Sequence, residues 1–210
     1  MTSNISAASR HPGWWVPNAL TISRICIIPI LIAGIIAFAN GTDSAFANGY
    51  LLFFLIFYAM ASDFFDGFLA RRWKLVSGFG RMIDPIADKL LVAGCLIAFC
   101  IAVRGDWLIV VPAVAIIFRD ILVSGSREHA ALSGRAMPPT KLAKWKTSFE
   151  FISIVVLLFW IMGRSYLEID SAITSIKANA KLAGVVLLWV SAAMSVWTGQ
   201  LYVRAALKNS

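Results

Sequence analysis

The chain has 210 residues, 60% of them hydrophobic and only 14% charged, with a formal net charge of +8. A soluble domain of this size carries about 25% charged residues, so the composition excludes an ordinary water-solvated globule and indicates one domain dissolved in lipid. In that setting the positive balance points to cytoplasmic loops and anionic headgroups rather than to nucleic acid.

Six apolar stretches are long enough to read as membrane-crossing helices, and the predicted fold is an all-α polytopic membrane protein. The first runs from Val16 to Phe38, behind an N-terminal interfacial segment, 1–15, in which Trp14 and Trp15 suit the headgroup level. The second runs from Tyr50 to Leu69 and the third from Ile83 to Val103. The fourth, Trp107 to Val123, continues as a polar helical extension toward Leu132. The fifth, Phe149 to Met162, is short unless Thr147 and Ser148 join it, and the sixth is Leu182 to Val203. About 20 residues rising 1.5 Å each cross the hydrocarbon. Cys26, Cys95 and Cys100 fall in apolar runs without a CxxC pair and read as small buried hydrophobes.

Basic residues set the orientation. One group of loops holds Arg10, Arg71, Arg72, Lys74, Arg81, Arg127, Arg135, Lys141, Lys144, Lys146, Arg204 and Lys208. The opposite group holds Arg104, Arg164, Lys177 and Lys181. The positive-inside rule then places both termini in the cytoplasm. Arg10, the first apolar run and Ala37-Phe38-Ala39 also resemble a cleaved signal peptide, but the run exceeds the usual 7–15 residues.

The chemistry lies where the second stretch ends and the third begins. Asp63 and Asp66 are three apart, and Asp84 and Asp88 four apart, so each pair shares a helix face. The short basic link between them predicts two antiparallel neighbouring helices with four carboxylates converging near the cytoplasmic surface. Four such charges at a membrane boundary repel and are desolvated unless cations neutralise them. An all-oxygen ligand set favours Mg²⁺ or Mn²⁺ over Zn²⁺, and four carboxylates suit two ions. Gly67 and Ala70 leave room for a bulky ligand, Arg71 is placed to clamp a phosphate, and Gly80 permits a close approach at the mouth. The bland alternative, a set of interfacial salt bridges with Arg71, Arg72, Arg81 or Lys89, accounts poorly for four acids at helical spacing on adjacent helices.

Taken together, Asp63-x2-Asp66-Gly67-x2-Ala70-Arg71-x8-Gly80-x3-Asp84-x3-Asp88 resembles the complete motif of the CDP-alcohol phosphatidyltransferase family, with every fixed position filled. Three further segments resemble the bacterial branch that uses glycerol-3-phosphate as acceptor. They are Pro17-Asn18-Ala19-Leu20-Thr21-x2-Arg24-x4-Pro29, Phe118-Arg119-Asp120-Ile121 with Ser126-Arg127-Glu128, and Lys144-Trp145-Lys146-Thr147. Asp120 is a mild departure, since the branch carries Arg-Glu there. The resemblance implies that Asp63, Asp66, Asp84 and Asp88 bind metal and that Asp88 takes the acceptor's proton. It further implies that Asp63, Gly67, Ala70, Arg71 and Gly80 bind the CDP-lipid. A homodimer in a bacterial inner membrane, its active site facing the cytoplasm, is also implied.

A dianionic acceptor needs cations. Arg119 and Arg127 are about 80° apart around the fourth helix, and Asn18, Thr21 and Arg24 spread over about 120° of the first. With Lys144 and Lys146 they form the predicted acceptor-phosphate pocket: Thr21, Arg24, Arg119, Arg127, Lys144 and Lys146. For the lysines the plain alternative is attraction to anionic lipid, about 1 kcal/mol each. Glu150 is expected to pair with Lys146, four residues earlier, and His129 reads as an interfacial residue. The expected partners are CDP-diacylglycerol, glycerol-3-phosphate and membrane lipids, without nucleic acid. The rivals are the same chemistry with phosphatidylglycerol, inositol phosphate or serine as acceptor, a cation transporter, and a non-catalytic scaffold. A transport site is expected at the bilayer midplane rather than at one boundary.

Overall fold

A computed structural model describes the backbone over residues 16–42, 48–73, 78–132, 141–166 and 171–207; the side chains of 16–17, 63–79, 81, 129, 132, 141–144, 164–166, 171–175, 177 and 205–207 lie outside that description. All described regular structure is helical. Six helices follow in order: α1 (Val16–Ala39), α2 (Gly49–Trp73), α3 (Gly78–Ala102), α4 (Trp107–Leu132), α5 (Lys141–Tyr166) and α6 (Ser171–Leu207). Each carries one of the six apolar stretches, the third running one residue past the end of α3. The helices outrun those stretches most at the end of α4 and the starts of α5 and α6. Hydropathy marks the part that lipid can solvate, whereas the backbone keeps its helical hydrogen bonds into the polar zone.

Local signals fix several ends. Asn48 caps α2, its side-chain oxygen accepting from the Tyr50 N–H at 3.0 Å, and Asp106 caps α4 by accepting from the Leu108 N–H at 3.0 Å. The α3–α4 turn needs left-handed backbone at Arg104 (φ 55°) and Gly105 (φ 80°), and the Gly105 N–H closes it on the Cys100 carbonyl at 3.0 Å.

Five helices are long and apolar enough to cross a membrane: α1, α3, α4, α5 and α6, through Asn18–Ala39, Met82–Ala102, Trp107–Glu128, Trp145–Gly163 and Ala178–Arg204. The protein is therefore a multi-pass membrane protein. The described apolar run of α2 is Gly49–Ser62.

The helices form two groups joined through α5 and through a light α3–α4 contact. In the first, α1 packs closely against both α2 and α3; in the second, α6 packs against both α5 and α4. Contrary to the expectation from the short link, α2 and α3 touch each other only slightly, and α1 lies along both. One continuous core runs through the bundle, including Leu31 and Ile35 of α1, Leu52 of α2, Leu96 of α3, Ile116 of α4, Leu157 and Leu158 of α5 and Leu188 of α6. Outward faces remain apolar, as in Phe54, Phe57, Phe118 and Trp197, because lipid rather than water is their solvent. Cys95 is buried as expected and Cys100 half-buried, but Cys26 is exposed on the outer face of α1. An apolar run in lipid does not report which of its residues face inward.

Candidate active site

The site is assembled by α1. On α3, Asp84 and Asp88 stand one turn apart, both half-buried, with Gly80 buried one turn before Asp84. Thr21 of α1, itself buried, donates its hydroxyl hydrogen to Asp84 Oδ1 at 2.8 Å. One turn further along α1, the fully buried Arg24 donates through Nε to Ser62 Oγ at 3.1 Å. Ser62 immediately precedes Asp63, and its hydroxyl donates back to the Ala59 carbonyl at 2.9 Å. A single polar face of α1 thus meets the aspartate-bearing ends of α2 and α3. Thr21 and Arg24, expected as acceptor ligands, are tied into the aspartate site itself. Asp63, Asp66, Gly67, Ala70 and Arg71 sit on α2, with side chains outside the described residues.

The donor chemistry suits a hard divalent cation. Asp84 and Asp88 offer only oxygen, at a helix end, and the bond that holds Asp84 comes from a neutral hydroxyl that leaves its charge in place. Among the described residues no set of three or more His, Cys, Asp or Glu side chains comes together. A complete set requires Asp63 and Asp66.

The other predicted residues occupy a second polar centre between α4, α5 and α6. Lys146, nine-tenths or more buried, bonds Asp120 Oδ1 at 2.5 Å and Glu150 Oε1 at 2.9 Å. Arg119 reaches Asp120 Oδ1 through Nη1 at 2.9 Å, donates from Nη2 to Thr198 Oγ1 at 2.8 Å and from Nε to the Ser195 carbonyl at 3.1 Å. Ser195 in turn donates to Glu150 Oε1 at 3.3 Å. Two cations face two carboxylates, so the centre is charge-balanced within the protein. The spacing of Lys146 and Glu150 gave their pairing correctly. Asp120, the departure from the branch pattern, is the residue both cations share. Arg119 crosses to α6 over Gly199, where an added Cβ would stand 2.8 Å from its Cγ.

Sequence reasoning missed the α6 side of this centre, although Ser191, Ser195 and Thr198 recur at helical spacing in an apolar helix and are all buried. Lys89, read from the sequence only as a possible salt-bridge partner of the aspartates, donates to Ser124 Oγ of α4. Arg127 is exposed near the end of α4, and the Lys144 side chain lies outside the described residues. All buried side-chain nitrogen and oxygen atoms among the described residues have a hydrogen-bond partner, as a membrane interior requires.

At the opposite end of the bundle, Asp106 accepts from Lys181 Nζ at 2.9 Å, and that ammonium stands 5.3 Å from the centre of the Trp160 ring. The bond from Lys181, helped by the Leu108 N–H, holds the Asp106 carboxyl below its ordinary range.

Comparison with known proteins bears on both centres. The family model for CDP-alcohol phosphatidyltransferase matches residues 14–197. A Rickettsia felis protein named CDP-diacylglycerol–glycerol-3-phosphate 3-phosphatidyltransferase is 37% identical, the match covering 92% of this chain and 96% of the relative. A Cereibacter sphaeroides protein of the same name is 33% identical with the same coverages. A rice protein named cardiolipin synthase (CMP-forming) is 35% identical over 90% of this chain and 56% of its own length. With the motif carried on α2 and α3 and a family match running through all six helices, the chain belongs to the CDP-alcohol phosphatidyltransferase family.

Proposed function

We propose that this enzyme transfers the phosphatidyl group of CDP-diacylglycerol to glycerol-3-phosphate, releasing CMP and forming phosphatidylglycerol phosphate. The observation that carries the reading is the nearly end-to-end likeness to relatives named for that donor and acceptor. All six helices cross the bacterial inner membrane, α2 included, with both termini and the aspartates on the cytoplasmic side where the basic residues concentrate. The working form is a homodimer.

Asp63, Asp66, Asp84 and Asp88 would hold two Mg²⁺ or Mn²⁺ ions, which would supply charge neutralisation at the diphosphate. Thr21 orients Asp84 for that role, and Arg24 fixes the start of the aspartate segment through Ser62. Asp63, Gly67, Ala70, Arg71 and Gly80 form the CDP-lipid side, Arg71 facing phosphate. Asp88 accepts the proton of the acceptor's primary hydroxyl as that oxygen attacks the lipid-side phosphorus. The bond from that phosphorus to the CMP oxygen breaks, and CMP departs. The acceptor phosphate is gathered by Thr21, Arg24, Arg119, Arg127, Lys144 and Lys146. Arg119 and Lys146 are also engaged by Asp120 and Glu150, and exposed Arg127 is the first cation a cytosolic ligand meets.

A second reading keeps the chemistry and changes the acceptor to phosphatidylglycerol, favoured by the likeness to the rice cardiolipin synthase. The test is CMP release by purified protein with CDP-diacylglycerol and a panel of acceptors. Release that depends on glycerol-3-phosphate supports the first reading. Release that depends on phosphatidylglycerol, inositol phosphate or serine instead overturns it.

A further inference from the structure

The α3 helix carries two of the motif's carboxylates, yet on its α4 side it is thinly packed. A cleft of about 310 Å³ opens there, walled by Ile86, Leu90 and Ala93 of α3 and Ile117 and Ile121 of α4. Its polar lining is Lys89, Asp120 and Ser124. The Lys89 ammonium bridges it, donating to Ser124 Oγ, and Ser124 passes a hydrogen bond to the Asp120 carbonyl at 2.5 Å. Lys89 lies within electrostatic range of Asp120, Arg127, Asp88 and Lys146. The far end of the bridge is firm, because the Asp120 side chain is gripped by both Arg119 and Lys146.

Lys89 follows Asp88 directly, so it projects about 100° around the helix from it. Asp84 is tied on another side of α3, to Thr21 of α1. Two polar ties on different sides define the rotation of a helix end that packs closely on α1 but only lightly on α4. A helix free to rotate there would move both carboxylates by ångströms, and supporting residues of this kind typically change metal affinity or activity by about 10–100-fold.

We propose that Lys89 is a positioning residue, whose tie to Ser124 across the α3–α4 cleft sets the rotation of α3 and thereby aims Asp84 and Asp88 at the divalent cation. The inference deepens the phosphatidyl-transfer reading and rests on it for its kinetic readout. It also has a readout independent of turnover.

The experiment compares purified wild type with Lys89→Met, Lys89→Arg and Ser124→Ala in detergent. Mn²⁺ binding is followed by the EPR signal of the free ion, and CMP release is measured with CDP-diacylglycerol and glycerol-3-phosphate. Lys89→Met should bind Mn²⁺ about 10–100-fold more weakly and lose kcat by a similar factor, with KM for the acceptor little changed. Lys89→Arg, which keeps charge and donors, should recover most of both. Ser124→Ala should shift both in the same direction by less, and it tests the tie even where Lys89→Met folds poorly. Unchanged Mn²⁺ affinity and unchanged kcat per folded molecule in Lys89→Met and Ser124→Ala overturn the proposal, as does a wild type that binds no Mn²⁺. A wild type that binds Mn²⁺ but releases no CMP overturns the transfer reading instead, and the Mn²⁺ arm then decides the positioning role.

Discussion

The two polar centres of this bundle are built on opposite plans. Between α4, α5 and α6, Arg119 and Lys146 meet Asp120 and Glu150, and serine and threonine hydroxyls of α6 fill the remaining bonds. At the α1–α2–α3 end, Asp84 is held by a hydroxyl, and among the described residues it has no ion pair. Breaking a buried ion pair from one side is costly, because it leaves its partner behind. The bond that holds Asp84 brings no cation of the protein's own. The difference teaches that intramembrane charge by itself does not mark chemistry; the balance of charge around it does.

Substitutions that hit only one centre should break this contrast if it is wrong. The largest expected effect is on turnover: Asp88→Asn should lower kcat by about 10²–10⁴-fold while the thermal unfolding midpoint in detergent stays near the wild type's. Lys146→Met should act mainly on stability. It leaves Glu150 in the interior without its cation and Asp120 with Arg119 alone, and a broken buried pair costs about 3–5 kcal/mol, read as a large drop in the midpoint. Gly199→Ala should cost about 1–3 kcal/mol in the same measurement, because its Cβ meets the Arg119 stem. Thr21→Val removes one hydrogen bond, about 1 kcal/mol of stability. Its mark should be kinetic, about a 10-fold loss with a raised Mg²⁺ requirement, since it releases Asp84.

The smallest effect belongs to the far end of the bundle. Asp106 is held below its ordinary carboxylate range by Lys181, so its contribution is complete above that range and fades as the pH falls through its lowered value. Asp106→Asn should therefore cause a slight loss of thermal stability at neutral pH that vanishes in strong acid, with CMP release unchanged. An effect on turnover comparable to that of Thr21→Val would show that the two ends of the bundle are coupled.

Much of this was legible in the sequence, for definite reasons. A membrane helix announces itself by about 20 apolar residues, and each of the six apolar stretches falls on one helix, the third overshooting its end by a single residue. Its true ends are not announced, since α6 begins at Ser171, well before the apolar run at Leu182. Contacts within one helix were readable from spacing, as with Lys146 and Glu150. Contacts between helices were not: Thr21 and Asp84 are 63 positions apart, and no local pattern pairs them. Arg119 and Lys146 had their internal partners hidden in the same way. Their charge was visible, but the carboxylates that balance it meet them only after α4, α5 and α6 pack. The role of α1 was hidden too, since a short link suggests that α2 and α3 are neighbours and cannot reveal a third helix lying along both.

The central claim is that the charge of the aspartate end is completed from outside the protein. It is tested most directly by single-turnover CMP release from CDP-diacylglycerol with glycerol-3-phosphate, using wild-type enzyme stripped of divalent cations and then given Mg²⁺. The account predicts that release stops on stripping and returns with Mg²⁺, while the thermal midpoint set by the closed centre hardly moves. Undiminished release from the thoroughly stripped enzyme would contradict it.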